Sequence, residues 1–264
     1  MKTLSHIFII LFFSIYYSFG QTYQIEYKRI KHNEFDGGKN RICPTTLYTN
    51  TQKSIFLENR VINGRSTEVK EEDYQNGERS GNEVKGDSLG KLIIKNTITQ
   101  SFQQKTWGAN YKKNVYYKVK DSILPKFDWQ ITGEQKEILG YTVQKASSTY
   151  KNRTIAAWFT NDFAISDGPW KFYGLPGLIL EAHIEFDSAN RTSMVYQAIL
   201  IKQIPSLPEI EISKNIPLAT IEQLEKDHID KYRRIFKFYE TKSKGEIRTR
   251  YDDLDFEPII FSTN

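Results

Sequence analysis

The segment Leu178–Phe186 constrains this chain more than any other. Leu178, Leu180, Ala182, Ile184 and Phe186 fall on one side of an extended backbone, with Ile179, Glu181, His183 and Glu185 on the other. Such a period of two predicts a strand with one face on a core and the other largely wet. Met194–Lys202 is placed to pair with it across a turn at Asp187–Asn190. Similar short segments recur. Tyr23, Ile25 and Tyr27 alternate with polar neighbours, and Thr46–Thr49 and Ser54–Val61 follow, the latter ending at the hairpin signal Asn63-Gly64. Further strands are expected at Leu92–Thr99, Val115–Val119, Asp128–Thr132, Tyr141–Thr149 and Thr154–Thr160. The fold class is therefore mainly β, with an antiparallel sheet.

Two stretches break this rhythm. Residues 68–90 are dominated by Glu, Asp, Lys, Gly, Asn and Ser, which cannot offset their ordering entropy, so an exposed polar loop is expected there. Beyond Pro205, Pro208 and Pro217 the spacing becomes helical. Ile221, Leu224, His228, Tyr232, Ile235 and Tyr239 recur every three or four residues, and Thr220 with Gln223 fits a capping box. One long helix is expected within 217–240. Its opposite face carries Lys226, Lys231, Arg233, Arg234 and Lys237, read as a solvated face.

Met1–Gly20 has a basic start at Lys2, an apolar run through Ile7–Phe13 to Tyr17, and small residues at Ser18 and Gly20, the layout of a secretory signal peptide. Residues 21–264 are then expected to form a single exported domain in the periplasm, at the outer membrane or outside the cell. No later apolar run is long enough to span a bilayer. A net charge of +5 over 264 residues is mild and lacks the basic stripe of a nucleic-acid binder. One cysteine excludes an internal disulfide framework.

The stretch Gly168-Pro169-Trp170-Lys171-Phe172-Tyr173-Gly174-Leu175-Pro176-Gly177-Leu178-Ile179 is the most unusual. Pro176-Gly177 suits a type II turn, proline fixing φ at one central position and glycine supplying positive φ at the next. Gly168-Pro169 makes a second bend, so Trp170 and Phe172 are held between two corners. With Gly174 these positions read as a structural corner. The stretch resembles the signature of the GLPGLI (Porph_ging) family of secreted Bacteroidota proteins. Ser54-Ile55-Phe56, Ile138-Leu139-Gly140-Tyr141, Gln144-Lys145-Ala146 and Ala157-Trp158-Phe159-Thr160 also match that pattern. The resemblance implies an exported protein, in a family several of whose members are encoded beside genes for outer-membrane receptors, and carries no catalytic residue. Ile138–Ala146 further resembles a strand pair of lipoprotein-carrier-like half-barrels, which implies a curved sheet whose concave face the 217–240 helix covers.

Reactive constellations are scarce. Gly86-Asp87-Ser88-Leu89-Gly90 has the letters of a nucleophile elbow but sits in the polar loop rather than between a strand and a helix. Cys43 precedes a proline, without a helix N-terminus to activate it, and His32 or His183 would have to serve as its base. Asp252, Asp253, Asp255 and Glu257 lack calcium-loop spacing. Glu181, His183 and Glu185 share a strand face and are the candidates for a hydrolase or metal-dependent enzyme. A non-enzymatic binding protein is favoured, with Trp158, Trp170, Phe172, Tyr232 and Phe236 lining a cleft for an apolar ligand, a peptide or an outer-membrane receptor. No cofactor or resident metal is expected, and no nucleic acid.

Overall fold

The computed structural model describes residues 21–234, except 34–37, 59, 64, 77–87, 108–115, 151–152, 187–192, 221, 225, 228–229 and 231–233. The expected signal segment, Tyr232, Phe236, His228, the Asp187–Asn190 turn and the acidic Asp252–Glu257 cluster lie outside the described residues.

The strands are β1 (Thr22–Asn33), β2 (Lys39–Thr49), β3 (Lys53–Glu58), β4 (Val61–Ile62), β5 (Arg65–Ser66), β6 (Val69–Lys70), β7 (Lys91–Asn96), β8 (Ser101–Trp107), β9 (Tyr116–Ile123), β10 (Gln130–Ile138), β11 (Tyr141–Tyr150), β12 (Arg153–Thr160), β13 (Leu178–Phe186), β14 (Ser193–Ile204) and β15 (Leu218–Ala219). A short helix α1 (Glu71–Gln75) lies between β6 and β7. Thirteen strands form one sheet in the order β10-β11-β12-β13-β14-β1-β2-β3-β7-β8-β9-β15, with β6 pairing off that path with β2. Pairing is antiparallel except for β15, which runs parallel to β9. Two meanders thus join where β14 pairs with β1. The hairpin β4-β5 turns at Asn63, whose φ is +52.

The sheet is large and mixed and forms neither a closed barrel nor the expected half-barrel, and among the described residues no helix reaches seven residues. The long covering helix is therefore corrected. Thr220 does accept the Gln223 N–H on its hydroxyl at 3.2 Å, and Leu224 is buried against Val119. Irregular chain takes the covering role instead, with residues 163–175 on the inner face and Ile212 of the Pro205–Pro217 connector on the outer face of β3 and β7. Within 68–90, Val69 is buried and pairs opposite Ile42. No helix of the described residues is long and apolar enough to cross a membrane.

Cross-strand register defines the inner face. Ile25, Leu47, Phe56, Ile93 and Gln104 lie opposite one another in a row across β1, β2, β3, β7 and β8. The adjacent row is Tyr23, Thr49, Ser54, Lys95 and Phe102. Phe163, Ile165, Trp170, Phe172 and Leu175 of the β12–β13 connection join the same core, together with Leu124 and Phe127 of the β9–β10 connection. On the outer face, alternation presents Ile55, Leu57 and Leu92 to the Pro205–Pro217 connector, where Ile212 is buried against them and Ile210 and Ile216 pack alongside.

One ion pair ties the inner cover down. Lys95 and Asp167 are fully buried. The Lys95 ammonium donates to Asp167 Oδ1 at 2.5 Å, to the Gly168 carbonyl at 2.7 Å and to the Phe172 carbonyl at 3.3 Å. Thr49 donates its hydroxyl to Asp167 Oδ2 at 2.7 Å, and the Ile179 N–H donates to the Asp167 carbonyl. Burial pushes the Lys95 ammonium below its ordinary value, and Asp167 opposes that shift. The Tyr27 phenol donates to the Ile179 carbonyl at 2.6 Å; burial, then the charge of Asp167, holds its pKa well above the usual value.

The proline–glycine corner differs from the expected type II turn. Gly177 does not adopt positive φ; among the corner glycines Gly174 does, at +93. Gly177 is required for space, since a Cβ there would lie 2.1 Å from the Thr160 carbonyl oxygen. Pro169 accepts the Phe172 N–H on its carbonyl at 3.2 Å, and Pro176 is exposed. Trp170 sits at φ +54, a left-handed conformation that costs a bulky residue of order 1 kcal/mol or more. The residue is 5% exposed and its ring packs edge-on against Phe172 at 5.5 Å, which offsets the strain.

Urea unfolding reads out both features. Lys95→Met strands a buried carboxylate and should cost about 3–5 kcal/mol, while Lys95→Met with Asp167→Asn should be less destabilised than the sum of the single changes. Gly177→Ala forces backbone apart rather than a side chain, so a loss of about 1–3 kcal/mol or more is expected.

Candidate functional site

Strand alternation presents one polar row on the outer face. Lys145 of β11, Trp158 of β12, Glu181 of β13 and Gln197 of β14 lie opposite one another. They sit on the side away from Ala146, Ala157 and Ala182, which are buried in the core. Lys136 of β10 reaches across this row. Its ammonium lies 4.3 Å from the Trp158 ring centre and donates to Glu181 Oε1 at 2.6 Å. His183 Nε2 is 2.7 Å from the same oxygen. Lys145 lies 5.8 Å from the indole and donates to both oxygens of Glu134, at 2.9 and 3.0 Å. The Glu181 carboxyl is buried, which alone would raise its pKa. Hydrogen bonds from His183 and Lys136, with the Lys136 charge, outweigh burial and hold it below the ordinary value.

Of the residues singled out from the sequence, Glu181 and His183 meet, while Glu185 is exposed two residues further along β13, opposite Thr154. Trp158 belongs to the outer row. Trp170 and Phe172 instead fill the inner face, at 5% and 0% exposure. Cys43 is buried, with its thiol 3.6 Å from the Pro44 carbonyl oxygen, and His32 bonds Asn40 at 3.0 Å. Among the described residues no group of three His, Cys, Asp or Glu side chains could hold a metal ion. Gly86 and Asp87 of the elbow-like stretch lie outside the described residues.

Lys136 and Glu134 were missed from sequence because β10 was expected to end at Thr132. It runs on to Ile138 through an irregularity between Ile131 and Gln135, where Gly133 takes φ +66. The glycine disguised the continuing strand.

A second outer-face feature is a groove of about 490 Å³ between the β7–β8 hairpin and the Pro205–Pro217 connector. Lys53, Asn96, Ser101, Gln103, Lys118, Glu211 and Lys214 give it polar walls, and Ile94 and Ile212 an apolar floor. Asn96 Oδ1 accepts the Ile98 and Thr99 N–H groups at 3.0 Å each, fixing the hairpin turn at one end. The Lys118 N–H donates to the Pro217 carbonyl at 2.9 Å, anchoring the end of the connector beside β9.

Comparison with known proteins places the chain in a family. The sequence model described as "N-glycanase peptide, N-terminal domain" matches residues 89–225. No curated protein matches the chain. Among solved structures, PNGF-II is 23% identical with a TM-score of 0.49, covering 80% of this chain and 33% of its own. The chain thus spans about a third of the length of PNGF-II. An uncharacterized conserved protein from Thermus thermophilus is 9% identical with a TM-score of 0.37, covering 77% of this chain and 92% of its own. A LolA superfamily protein from Nitrosomonas europaea is 8% identical with a TM-score of 0.30, covering 71% and 88%. The GLPGLI assignment drawn from Gly168–Ile179 is overturned, since those residues lie inside the stretch that the other family matches. In structural terms the motif records a crowded corner, with Gly177 pressed on Thr160. Because the match takes in just over half of the 264 residues, the chain belongs to the family of N-glycanase peptide N-terminal domains.

Proposed function

We propose that the protein is an exported, non-catalytic binding protein of the cell envelope or its surroundings, and that it recognises a glycan-bearing ligand in the outer groove. The groove carries this reading. Its amides, hydroxyl and ammonium groups match the hydrogen-bonding needs of a sugar, and Ile94 and Ile212 offer the apolar floor on which a sugar's C–H face rests. The family's description as an N-glycanase N-terminal domain supports the same ligand class. The apolar ligand suggested by the sequence is set aside in favour of a polar one, because Trp170 and Phe172 are spent on holding the inner cover.

Glu181 bears on the enzymatic alternative. A carboxylate that accepts from both Lys136 and His183 and is held ionised is a poor proton donor at neutral pH. Its part is to hold Lys136 over Trp158.

Released N-glycans titrated into the exported chain by calorimetry should bind, and Gln103→Ala with Ser101→Ala should weaken binding roughly tenfold. Unchanged affinity in that variant, or no binding of any glycan, would overturn the reading. Glu181 gives a separate expectation. Its folded pKa lies below the unfolded one, so its stabilisation is complete above the ordinary value of 4.5 and is lost as the pH falls through the folded value. Glu181→Gln should therefore lower Tm at neutral pH and flatten its decline in acid, followed by circular dichroism.

A further inference from the structure

We infer that the outer groove selects acidic saccharides, those bearing a carboxylate or a sulfate, over neutral ones; this rests on the glycan-binding reading above. Lys53 at the start of β3, Lys118 on β9 and Lys214 on the connector come from three separate elements and converge on one groove. None of the three ammonium groups has a carboxylate partner among the described residues. Lys126 and Lys202 also lack a carboxylate partner among the described residues, but neither lines the groove. Lys91, Lys95, Lys136 and Lys145 each pair with an acid. Three such cations against the single carboxylate of Glu211 leave the groove positive.

The surroundings set which anion fits. A flat anionic membrane meets cations on an open face, whereas these lie between a hairpin and the connector that walls them. Gln103 and Ser101 supply hydrogen-bonding groups beside the charge, which a lone inorganic ion leaves unused but a sugar's hydroxyls engage. Glu211 disfavours densely charged polymers and tolerates one isolated acid, as on a terminal sugar. An ammonium donating to a carboxylate or sulfate makes a charge-assisted hydrogen bond, stronger than its bond to a neutral hydroxyl and screened by salt. Lys53 and Lys214 are exposed, so their contribution falls at high ionic strength.

The test holds the glycan constant and changes only its acid. N-glycans released from one serum glycoprotein are titrated with and without their terminal sialic acids, and sulfated lactose, lactose and inorganic phosphate are titrated beside them. The acidic glycan is expected to bind about tenfold more tightly than its desialylated form in low salt. Lys53→Gln with Lys214→Gln should abolish the preference, the sialylated and desialylated glycans then binding with equal affinity. Both side chains are exposed and outside the core, so the variant is expected to unfold at the wild-type temperature. Sulfated lactose outcompeting lactose in the same variant-sensitive way would assign the preference to the anion in general; preference for sialylated glycan alone would assign it to the carboxylate. Equal affinity for both forms of the glycan overturns the inference while the glycan reading stands. Binding of phosphate with no glycan bound, or of nothing at all, overturns both.

Discussion

A buried ammonium inside a β-sheet protein is tolerable only when every proton on it finds an acceptor. Lys95 meets that condition with Asp167 and the carbonyls of Gly168 and Phe172, and in doing so it pulls an irregular segment onto the inner face. The rest of the core depends on this arrangement. Asp167 is held by Thr49 from the row that also contains Lys95, and its own backbone carries the first hydrogen bond into β13. With the segment fixed, Trp170 and Phe172 have somewhere to go, and irregular chain takes the covering role on that face. A pair of this kind adds little net stability compared with an apolar substitute, but it admits only one placement of the cover.

Most of the sheet was legible in the sequence, because period-two alternation reports a strand directly. Leu178–Phe186 coincides with β13, and Tyr23, Ile25 and Tyr27 mark the buried side of β1. β8 escaped because Ser101–Trp107 places Gln104, Lys105 and Thr106 in a row, all of them buried, so polarity hid a core strand. The cover was misassigned for a related reason. Helical spacing after Thr220 is a local signal, whereas the packing of residues 161–177 is written in contacts between positions far apart, such as Lys95 with Asp167. Gly177 was recognised as necessary but for the wrong cause: close approach to Thr160 replaced the expected backbone angle.

The candidate site was less legible. Glu181 and His183 were visible as neighbours on a strand face, but their partner Lys136 arrives from another strand past a glycine irregularity. The groove is still further from sequence, since its lysines come from β3, β9 and the connector and no local pattern unites them. What separates the two outer features is pairing. Around Trp158 each lysine is matched to an acid and the cluster is internally satisfied. In the groove the three cations have no acid to hold them among the described residues, and that leaves them open to a counter-charge from outside.

The position of β1 bears on how the sheet assembles. Thr22 lies opposite Ile204, and β1 is flanked on its other side by β2. The opening strand of the domain therefore has a vacant edge until almost the last strand has been made. The β1–β14 pairing that joins the two meanders is non-local, the kind of contact that slows folding.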